Sequence, residues 1–316
     1  MKTVLILGAS GFLGRQCSLL FQKSNYSVIT SDKTGRVDLK GDLSCKVFVQ
    51  KLPKVDVVVN CAAVQYVSED LPFFKRKRYF EKNNLEPIIN LSDHYMRENV
   101  HFIHVGTSMM YLQDGRKIYD LTSPMLASGL YSESKLEAQS YVDRLLMTAT
   151  VIPCIIGGIG REGLFRGFVN SIKEFNMAIF PGSGDHKIAM VHVDDVALLI
   201  LQIAHTSSTG YFNAAADDAL TIREWIDIIS DELKKINTIK ISVPLKPIKI
   251  FSKLIRYRIL AREQLLMLSM PHVLDISKSI SIGWRPIFTT NKIVRDITNY
   301  VVSDKVIVPK NQRCEK

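Results

Sequence analysis

The sequence predicts an α/β protein built on a doubly wound parallel sheet with a smaller C-terminal lobe. The chain opens with a short apolar run, Thr3–Leu7, which a glycine-rich turn separates from a helical pattern. Further β-branched apolar runs alternate with helical patterns as far as residue 152. The 316 residues suffice for a large core with a smaller lobe. Strands that alternate with helices favour a parallel sheet that binds ligands at the carboxyl ends of its strands.

The glycine turn indicates a phosphate site. Gly8, Gly11 and Gly14 stand at every third position between the first strand and the first helix. The free N–H groups and the positive dipole end of such a helix face an anion, and the missing side chains let the backbone approach it. The next strand, residues 28–32, ends in Asp32. This carboxylate follows the glycines by roughly 20 residues, where it can accept the ribose hydroxyls of NAD.

The following segments extend the alternation. Asp42 and Leu43 lie in a loop before a predicted helix at 44–52, and Asp42 is placed to reach an adenine ring. Residues 56–63 form a buried strand with a small-residue end against which a flat cofactor can lie. That end consists of Cys61, Ala62 and Ala63. The remaining predicted elements are a helix at 83–98, a strand at 100–105, a helix at 130–147 and a strand at 149–152.

The alternation of strands and helices is less regular in the second half of the chain. Glycine-rich loops occur at 157–160 and 181–184, residues 190–196 begin a helical pattern, and 225–233 form an amphipathic helix near the capping residue Thr221. We therefore expect residues 1–156 to form a dinucleotide-binding domain of the Rossmann type. Residues 157–316 are expected to form mainly a substrate-binding lobe that is interleaved with the last sheet elements.

Composition narrows the class of protein. The net charge of +10 favours anionic partners such as a cofactor phosphate, a nucleotide or a membrane surface. Nucleic acid is not expected, because no binding motif accompanies the charge. The five cysteines lack C-x-x-C spacing, which indicates reduced thiols, a cytoplasmic protein and no metal site. No apolar run approaches the roughly 18 residues that a membrane span needs.

A tyrosine and a lysine at helical spacing carry the predicted chemistry. Tyr131 and Lys135 are about one turn apart at the start of a predicted helix, so both project from one face. A neighbouring ammonium lowers the pKa of a phenol, which can then act as an acid or base near neutral pH. Thr107, at the end of a strand, can hold the same substrate oxygen. A tyrosine and a lysine four residues apart also occur on ordinary helix surfaces. The predicted acid/base role therefore rests on the combination of this pair with the glycine loop.

Together these features resemble the extended short-chain dehydrogenase/reductase family, also called the NAD-dependent epimerase/dehydratase family. The resemblance covers nearly the whole chain. The matching motifs are Gly8-Gly11-Gly14, Asp42-Leu43, Asn60-Cys61-Ala62-Ala63, Asn84, Thr107, Tyr131-Lys135, His192-Val193-Asp194-Asp195 and Gly283-Trp284-Arg285-Pro286. It implies that Tyr131 is the acid/base, that Lys135 also holds the nicotinamide ribose, and that Thr107, four residues before Tyr111, orients the substrate oxygen. Ser108 is the alternative to Thr107.

The expected cofactor is NAD, with NADP as the alternative because Lys33 can offset the repulsion between Asp32 and a 2′-phosphate. The residues expected to bind it are Gly8, Ser10, Gly11, Phe12, Leu13, Gly14, Asp32, Asp42, Leu43, Cys61, Ala62, Ala63, Asn84, Tyr131 and Lys135. Members of the family commonly form homodimers, so the resemblance also implies a homodimer.

Departures from the family pattern bear on the substrate. Family dehydratases carry an Asp-Glu pair where this chain has Ser108-Met109, which argues against dehydration. Ile188 replaces the arginine typical of enzymes that act on nucleotide sugars, and Lys187 and Arg166 are the expected substitutes. Cys154 stands near the position of a usual asparagine. The expected substrate-binding residues are Ser108, Arg166 and Lys187.

Three functions remain open from the sequence. The first is an oxidoreductase or epimerase that interconverts a secondary alcohol and a ketone on a nucleotide-linked sugar. The second is an oxidoreductase of hydrophobic alcohols, because residues 243–276 resemble the 3β-hydroxysteroid dehydrogenase-like branch. The third is an NAD(P)-binding sensor or scaffold without turnover, against which the three catalytic residues argue.

Two basic clusters have no assigned role. Residues 74–79 are expected to be a solvated helix face. Residues 246–262 combine lysine and arginine with large apolar side chains. They are either an amphipathic helix that covers the small lobe or a helix that contacts a membrane surface.

Overall fold

The computed structural model describes residues 1–65, 73–161, 163–254 and 262–307. Its strands are β1 (Thr3–Leu7), β2 (Ser27–Asp32), β3 (Leu39–Lys40), β4 (Val57–Asn60), β5 (His101–Val105), β6 (Met147–Pro153), β7 (Ile155–Gly157), β8 (Met177–Pro181), β9 (Ile188–His192), β10 (Gly210–Ala214), β11 (Ala219–Leu220) and β12 (Ile239–Val243). Its helices are α1 (Phe12–Lys23), α2 (Lys46–Val49), α3 (Phe73–Phe80), α4 (Glu86–Tyr95), α5 (Leu130–Val142), α6 (Phe165–Phe175), α7 (Val193–Thr206), α8 (Ile222–Glu232), α9 (Leu245–Leu254), α10 (Arg262–Ser269), α11 (Ser277–Ser281) and α12 (Thr290–Ile307). A π-helical turn, Glu81–Leu85, joins α3 to α4.

Seven strands form one parallel sheet in the order β10-β6-β5-β4-β1-β2-β3. The order reverses direction at β1, which pairs with β2 on one side and with β4 on the other. In doubly wound sheets a crevice for ligands opens at such a reversal, beyond the carboxyl ends of the strands. The predicted fold class is therefore observed.

The sheet is buried on both faces, as the apolar first strand predicts. Val4 and Ile6 join a core with helices α1 and α7, whereas Leu5 and Leu7 join a second core with α4 and α5. Successive side chains of a strand point to opposite faces, so one short apolar run supplies both cores. This packing fixes where β1 ends and the glycine loop begins.

Elements beyond residue 156 contribute to both parts of the molecule. Strand β10 adds to the edge of the seven-stranded sheet, and α7 packs on α1. A third core forms among α6, α8 and α12, around the fully buried Trp225. Two smaller sheets, β11-β9-β7 and β12-β8, complete this region. The proposed boundary between residues 156 and 157 stays a prediction.

Several element boundaries differ from the sequence-based expectation. Residues 190–192, expected to be helical, belong to strand β9, and the helix begins only at Val193. The His192 ring accepts a hydrogen bond from Asp194 N and so caps α7 in place of a further helical turn. The helix expected at 44–52 is reduced to Lys46–Val49. Helix α8 begins as expected, with reciprocal hydrogen bonds between Thr221 and Glu224.

No helix within the described ranges is both long and apolar enough to cross a membrane. Residues 255–261 of the basic cluster at 246–262, and Cys314, lie outside the described residues.

Candidate active site

The glycine loop packs directly against the end of β4. A β-carbon at Gly8 would lie 2.6 Å from Ala62 N, and one at Gly14 would lie 2.1 Å from the Gly8 carbonyl oxygen. Gly8 also has φ +76, in the left-handed region. Both positions therefore require glycine.

Helix α1 begins without a side-chain cap. Its N-cap residue is Gly11, and its first turn holds no acidic residue. Among the described residues, the first N–H groups of the helix thus lack a capping side chain, and the residues that carry them line the crevice. A site of this kind is complementary to a phosphate, so the loop fits the pyrophosphate of a dinucleotide.

Asp32 organises the neighbouring part of the crevice. Its carboxylate accepts hydrogen bonds from Ser10 N at 3.1 Å and from Thr34 N at 3.0 Å. The Ser10 hydroxyl donates to the Thr34 carbonyl at 2.8 Å, so Ser10 braces the loop. Lys33 donates to Asn83 at 2.8 Å. Asp32, Lys33 and Asn83 line a cavity of about 130 Å³ together with the small-residue end of β4.

A second cavity, of about 250 Å³, continues from the first and shares Gly11, Cys61 and Ala63 with it. It lies along the ends of β5 and β6 and contains the predicted catalytic residues. Of the predicted cofactor residues, Gly8, Gly11, Phe12, Leu13, Gly14, Asp32, Asp42, Leu43, Cys61, Ala62, Ala63, Tyr131 and Lys135 line one or both cavities. The structure therefore brings together residues that the sequence places as much as 127 positions apart, from Gly8 to Lys135.

Asn84 has a bracing position in the π-helical turn. Its side chain pairs with Val64 N at 2.8 Å and with the Val64 carbonyl at 3.1 Å, and it donates to Ser134 Oγ at 3.0 Å. Asn84 thus ties the loop after β4 to α5. It does not appear among the residues that line either cavity.

Tyr131 and Thr107 form the expected pair. The phenol of Tyr131 is hydrogen-bonded to the side chain of Thr107, and both residues line the larger cavity. Burial raises the pKa of Tyr131 to about 12, while the bond to Thr107 and the charge of Arg161 act in the opposite direction. The expectation that Lys135 lowers this pKa is wrong for this structure, because Lys135 is not among the groups that shift it and burial outweighs the effects of Thr107 and Arg161.

Lys135 is held among buried groups. Its ammonium nitrogen donates to the Val105 carbonyl at 2.7 Å and lies 3.3 Å from His104 Nε2. Burial lowers the pKa of Lys135 to about 8. His104 is itself buried, and burial followed by the charge of Lys135 holds the pKa of the His104 ring well below its usual range.

Sequence reasoning missed His104, which continues the chain of hydrogen bonds to the loop after β4. Ala62 N donates to Asn60 Oδ1 at 3.2 Å, and Asn60 Nδ2 lies 3.1 Å from His104 Nδ1. The backbone donor fixes the orientation of the Asn60 amide, so His104 Nδ1 is the acceptor. A neutral His104 therefore carries its proton on Nε2, toward Lys135.

Ser108 is backed by a second buried histidine. Its Oγ lies 2.7 Å from His272 Nε2, and His272 Nδ1 lies 3.2 Å from Gln113 Oε1. The amide oxygen of Gln113 can only accept, so the His272 proton is on Nδ1 and Nε2 accepts from Ser108. Burial lowers the pKa of His272 to about 4, which keeps the ring neutral. No sequence signal connects these residues, which are 164 positions apart.

Glu263 caps helix α5. This residue is buried, and its carboxylate accepts from Tyr131 N at 3.2 Å and from Ser132 N at 3.4 Å. A carboxylate at a helix N-terminus is favoured by the helix dipole. The next residues of α10 include Gln264 and Met267, which line the larger cavity.

The predicted substrate residues fall in different places. Ser108 lines the larger cavity, but Lys187 is ion-paired with Glu224 at 2.8 Å and is not among the lining residues. Arg166, on α6, is also not among them. A cation that the sequence analysis missed, Arg161, does line the cavity, and its guanidinium lies 5.5 Å from the centre of the Phe12 ring.

The sequence of this chain is similar to those of known proteins. The sequence profile of the NAD-dependent epimerase/dehydratase family matches residues 4–215. A protein of Sinorhizobium fredii (strain NBRC 101917 / NGR234), uncharacterized protein y4nG, is 22% identical over 329 residues, covering 98% of this chain and 81% of that protein.

Solved structures show the same fold. UDP-glucose 4-epimerase of Thermus thermophilus, in complex with NAD, has a TM-score of 0.72 and 17% identity, with coverage of 95% of this chain and 99% of the other. dTDP-glucose 4,6-dehydratase of Bacillus anthracis str. Ames, in complex with NAD, has a TM-score of 0.74 and 16% identity, with coverage of 97% and 98%. At these identities the likeness establishes the fold, and the sequence profile supplies the family.

Proposed function

The chain belongs to the NAD-dependent epimerase/dehydratase family, and we propose that it is an NAD-dependent epimerase or reductase that interconverts a secondary alcohol and a ketone on a nucleotide-linked sugar. One observation carries this proposal. The hydrogen-bonded pair of Tyr131 and Thr107 lines a cavity that is continuous with the crevice beside the glycine loop. A proton-transfer group thus lies next to a site that fits a dinucleotide.

The glycine loop, Asp32 and Lys135 would hold the cofactor. NAD, when bound, supplies the group that accepts and returns a hydride. Thr107 would orient the substrate oxygen. The Tyr131 phenol would give its proton to that oxygen during reduction, and the phenolate would take the proton back during oxidation. Since Tyr131 is buried, its proton transfers are shielded from bulk water.

The groups around Ser108 support a reaction without loss of water. Dehydration needs an acid that protonates the departing hydroxyl. The proton of Ser108 is directed at His272, and the neighbouring Met109 has no ionisable group. Ser108 is thus arranged to accept a hydrogen bond from a substrate hydroxyl, which favours an epimerase or reductase over a dehydratase.

Arg161 supports an anionic, nucleotide-linked substrate. It is the one arginine among the described residues that line this cavity, and its guanidinium, which donates to Gln65, could also pair with a diphosphate. A second candidate, a hydrophobic alcohol or ketone, is favoured by the apolar part of the cavity wall. That part includes Met109, Ile155, Ile156, Met190 and Met267.

The deciding experiment measures turnover with both substrate classes. Purified protein is incubated with NAD or NADP and a panel of UDP- and dTDP-sugars, and in parallel with hydrophobic secondary alcohols. Formation of a C4 epimer or a keto sugar with NAD supports the proposal. Turnover of the alcohols alone moves the function to the second candidate, and cofactor binding without any turnover moves it to a sensor or scaffold.

The same panel tests the cofactor preference. Asp32 lines the first cavity and should disfavour a 2′-phosphate, whereas Lys33, on the same wall, acts in the opposite direction. We expect the protein to bind NAD more tightly than NADP, and we expect Asp32→Asn to reduce this difference in affinity. Tighter binding of NADP to the parent protein would show that Lys33 determines the preference.

A further inference from the structure

An apolar face of the β8–β12 sheet is open to solvent. The two strands pair in parallel, with Ile179 opposite Ile241 and Met177 opposite Ile239. Ala178 and Phe180, which alternate with these residues, are buried in the lobe. Ile179, Ile239 and Ile241 instead have exposures of 53%, 58% and 37%. Because paired residues of neighbouring strands point to the same face, these isoleucines form one apolar surface.

The described segment that contains β12 lacks acidic residues. Residues 234–254, which we call the acid-free segment, contain six lysines and no aspartate or glutamate. The six are Lys234, Lys235, Lys240, Lys246, Lys249 and Lys253. Lys240 is ion-paired with Asp227 of α8. The two acids just before the segment, Asp231 and Glu232, are ion-paired with Arg295 and are therefore largely neutralised.

Large apolar side chains are also exposed on both sides of β12. Ile236 precedes the strand with 80% exposure, and Ile250 of α9 follows it with 64% exposure. Single exposed apolar side chains are ordinary, but a group of them within a strongly cationic segment is not. The pattern joins the two properties that favour the interface of an anionic bilayer, apolar groups that insert and cations that attract lipid headgroups.

We propose that the apolar face of β8 and β12, with the surrounding acid-free segment, docks this protein on an anionic lipid bilayer. A bilayer surface is anionic and apolar at once, which matches this surface better than a protein with a separate acidic patch.

Vesicle co-sedimentation with the full chain tests this proposal. We expect binding to vesicles of phosphatidylcholine that contain about a third phosphatidylserine, no binding to pure phosphatidylcholine, and weaker binding as salt increases. Lys234→Ala, Lys235→Ala and Lys246→Ala together should weaken binding about a hundredfold, since each cation near an anionic surface contributes about fivefold. Ile239→Ser with Ile241→Ser should also weaken binding, with little dependence on salt.

Matched variants control for charge and composition. Exposed lysines elsewhere, Lys23, Lys51 and Lys117, are replaced by alanine, and the exposed Ile118 and Ile287 are replaced by serine. Circular dichroism verifies that every variant is folded. Absence of binding by the parent protein, or equal losses in the control variants, would overturn the proposal. Self-association in solution that the Ile239 and Ile241 changes abolish, without lipid binding, would overturn it too by assigning this face to a second copy.

Discussion

Lys135 Nζ lies 3.3 Å from His104 Nε2, inside a chain of hydrogen bonds that begins at the Ala62 N–H and passes through Asn60. Each bond in the chain fixes the orientation of the next group. The Asn60 amide directs its N–H at His104 Nδ1, so the proton of a neutral His104 points at Lys135. The His104 Nε2–H and a Lys135 ammonium would both be donors and would repel each other. A neutral amine on Lys135 can instead accept the hydrogen bond from His104. The burial that lowers the pKa of Lys135 to about 8 acts in the same direction.

Asn60→Asp should therefore raise the pKa of Lys135. The carboxylate introduced by this substitution would accept from both Ala62 N and His104 Nδ1, which moves the histidine proton to Nδ1 and lets Nε2 accept from the lysine ammonium. The ammonium is present below its pKa and lost above it, so the alkaline limb of activity should move to higher pH. The pH dependence of kcat/KM measures this shift.

The other groups near this lysine are Cys61, His104 and Tyr131, and the substitution removes none of them. Nitrogen NMR of the His104 ring reports the change of tautomer independently of activity. Asn291→Asp, on α12, is the matched control and should leave the profile unchanged, because its side-chain oxygen accepts from Arg295 and lines neither cavity. A limb that moves to lower pH in Asn60→Asp would contradict the assigned hydrogen-bond directions.

Tyr131→Phe should reduce turnover by roughly 10²–10⁴-fold, as expected for the loss of a general acid/base. NAD affinity should stay close to that of the parent, because the ring itself remains. Tyr119→Phe is the control, since Tyr119 is a buried tyrosine that lines neither cavity. Steady-state kinetics and NAD titration distinguish the two variants. Near-parental turnover in Tyr131→Phe would remove this residue from the mechanism.

Gly14→Ala should weaken NAD binding by roughly 10–100-fold, the value of one lost hydrogen bond to a charged group. The added carbon would lie 2.1 Å from the Gly8 carbonyl oxygen and must displace the loop that presents the N–H groups. Gly167→Ala serves for comparison, because a β-carbon there has no neighbour within 4 Å. That change lies in α6 and should stabilise the fold by up to about 1 kcal/mol. If calorimetry gave the same NAD affinity for Gly14→Ala and for the parent protein, the role of the loop in cofactor binding would be refuted.

Arg161→Gln should weaken the affinity for a UDP- or dTDP-sugar by roughly tenfold or more, because a charge-assisted pair with the diphosphate is lost. Lys187→Ala should leave that affinity unchanged, since its ion pair with Glu224 lies at the surface, outside the cavity. Such a surface pair contributes about 0–1 kcal/mol to stability. Competition binding with the free nucleotide diphosphate measures both variants. If only Lys187→Ala weakens binding, the sequence-based assignment is correct and the one from the cavity is not.

The local features of this site were predictable from the sequence. The apolar run Thr3–Leu7, the glycine spacing that follows and the single helical turn from Tyr131 to Lys135 are all short-range patterns. A strand or helix converts such a pattern directly into direction, because its geometry repeats every two or about 3.6 residues. The parallel sheet then follows from the order of the elements, and it brings the strand ends to one edge.

The partners of these residues were decided only by tertiary structure. His272 reaches Ser108 from 164 positions away, and Glu263 reaches the first turn of α5 from 132 positions after Tyr131. The same packing turns Lys187 toward Glu224 and leaves Arg161 in the cavity. No periodicity encodes such meetings, because they depend on how separate layers pack and on which buried polar groups must find a partner. The sequence by itself determined the glycine loop and the helical turn that carries Tyr131 and Lys135, and the folded chain determined the electrostatic surroundings of both.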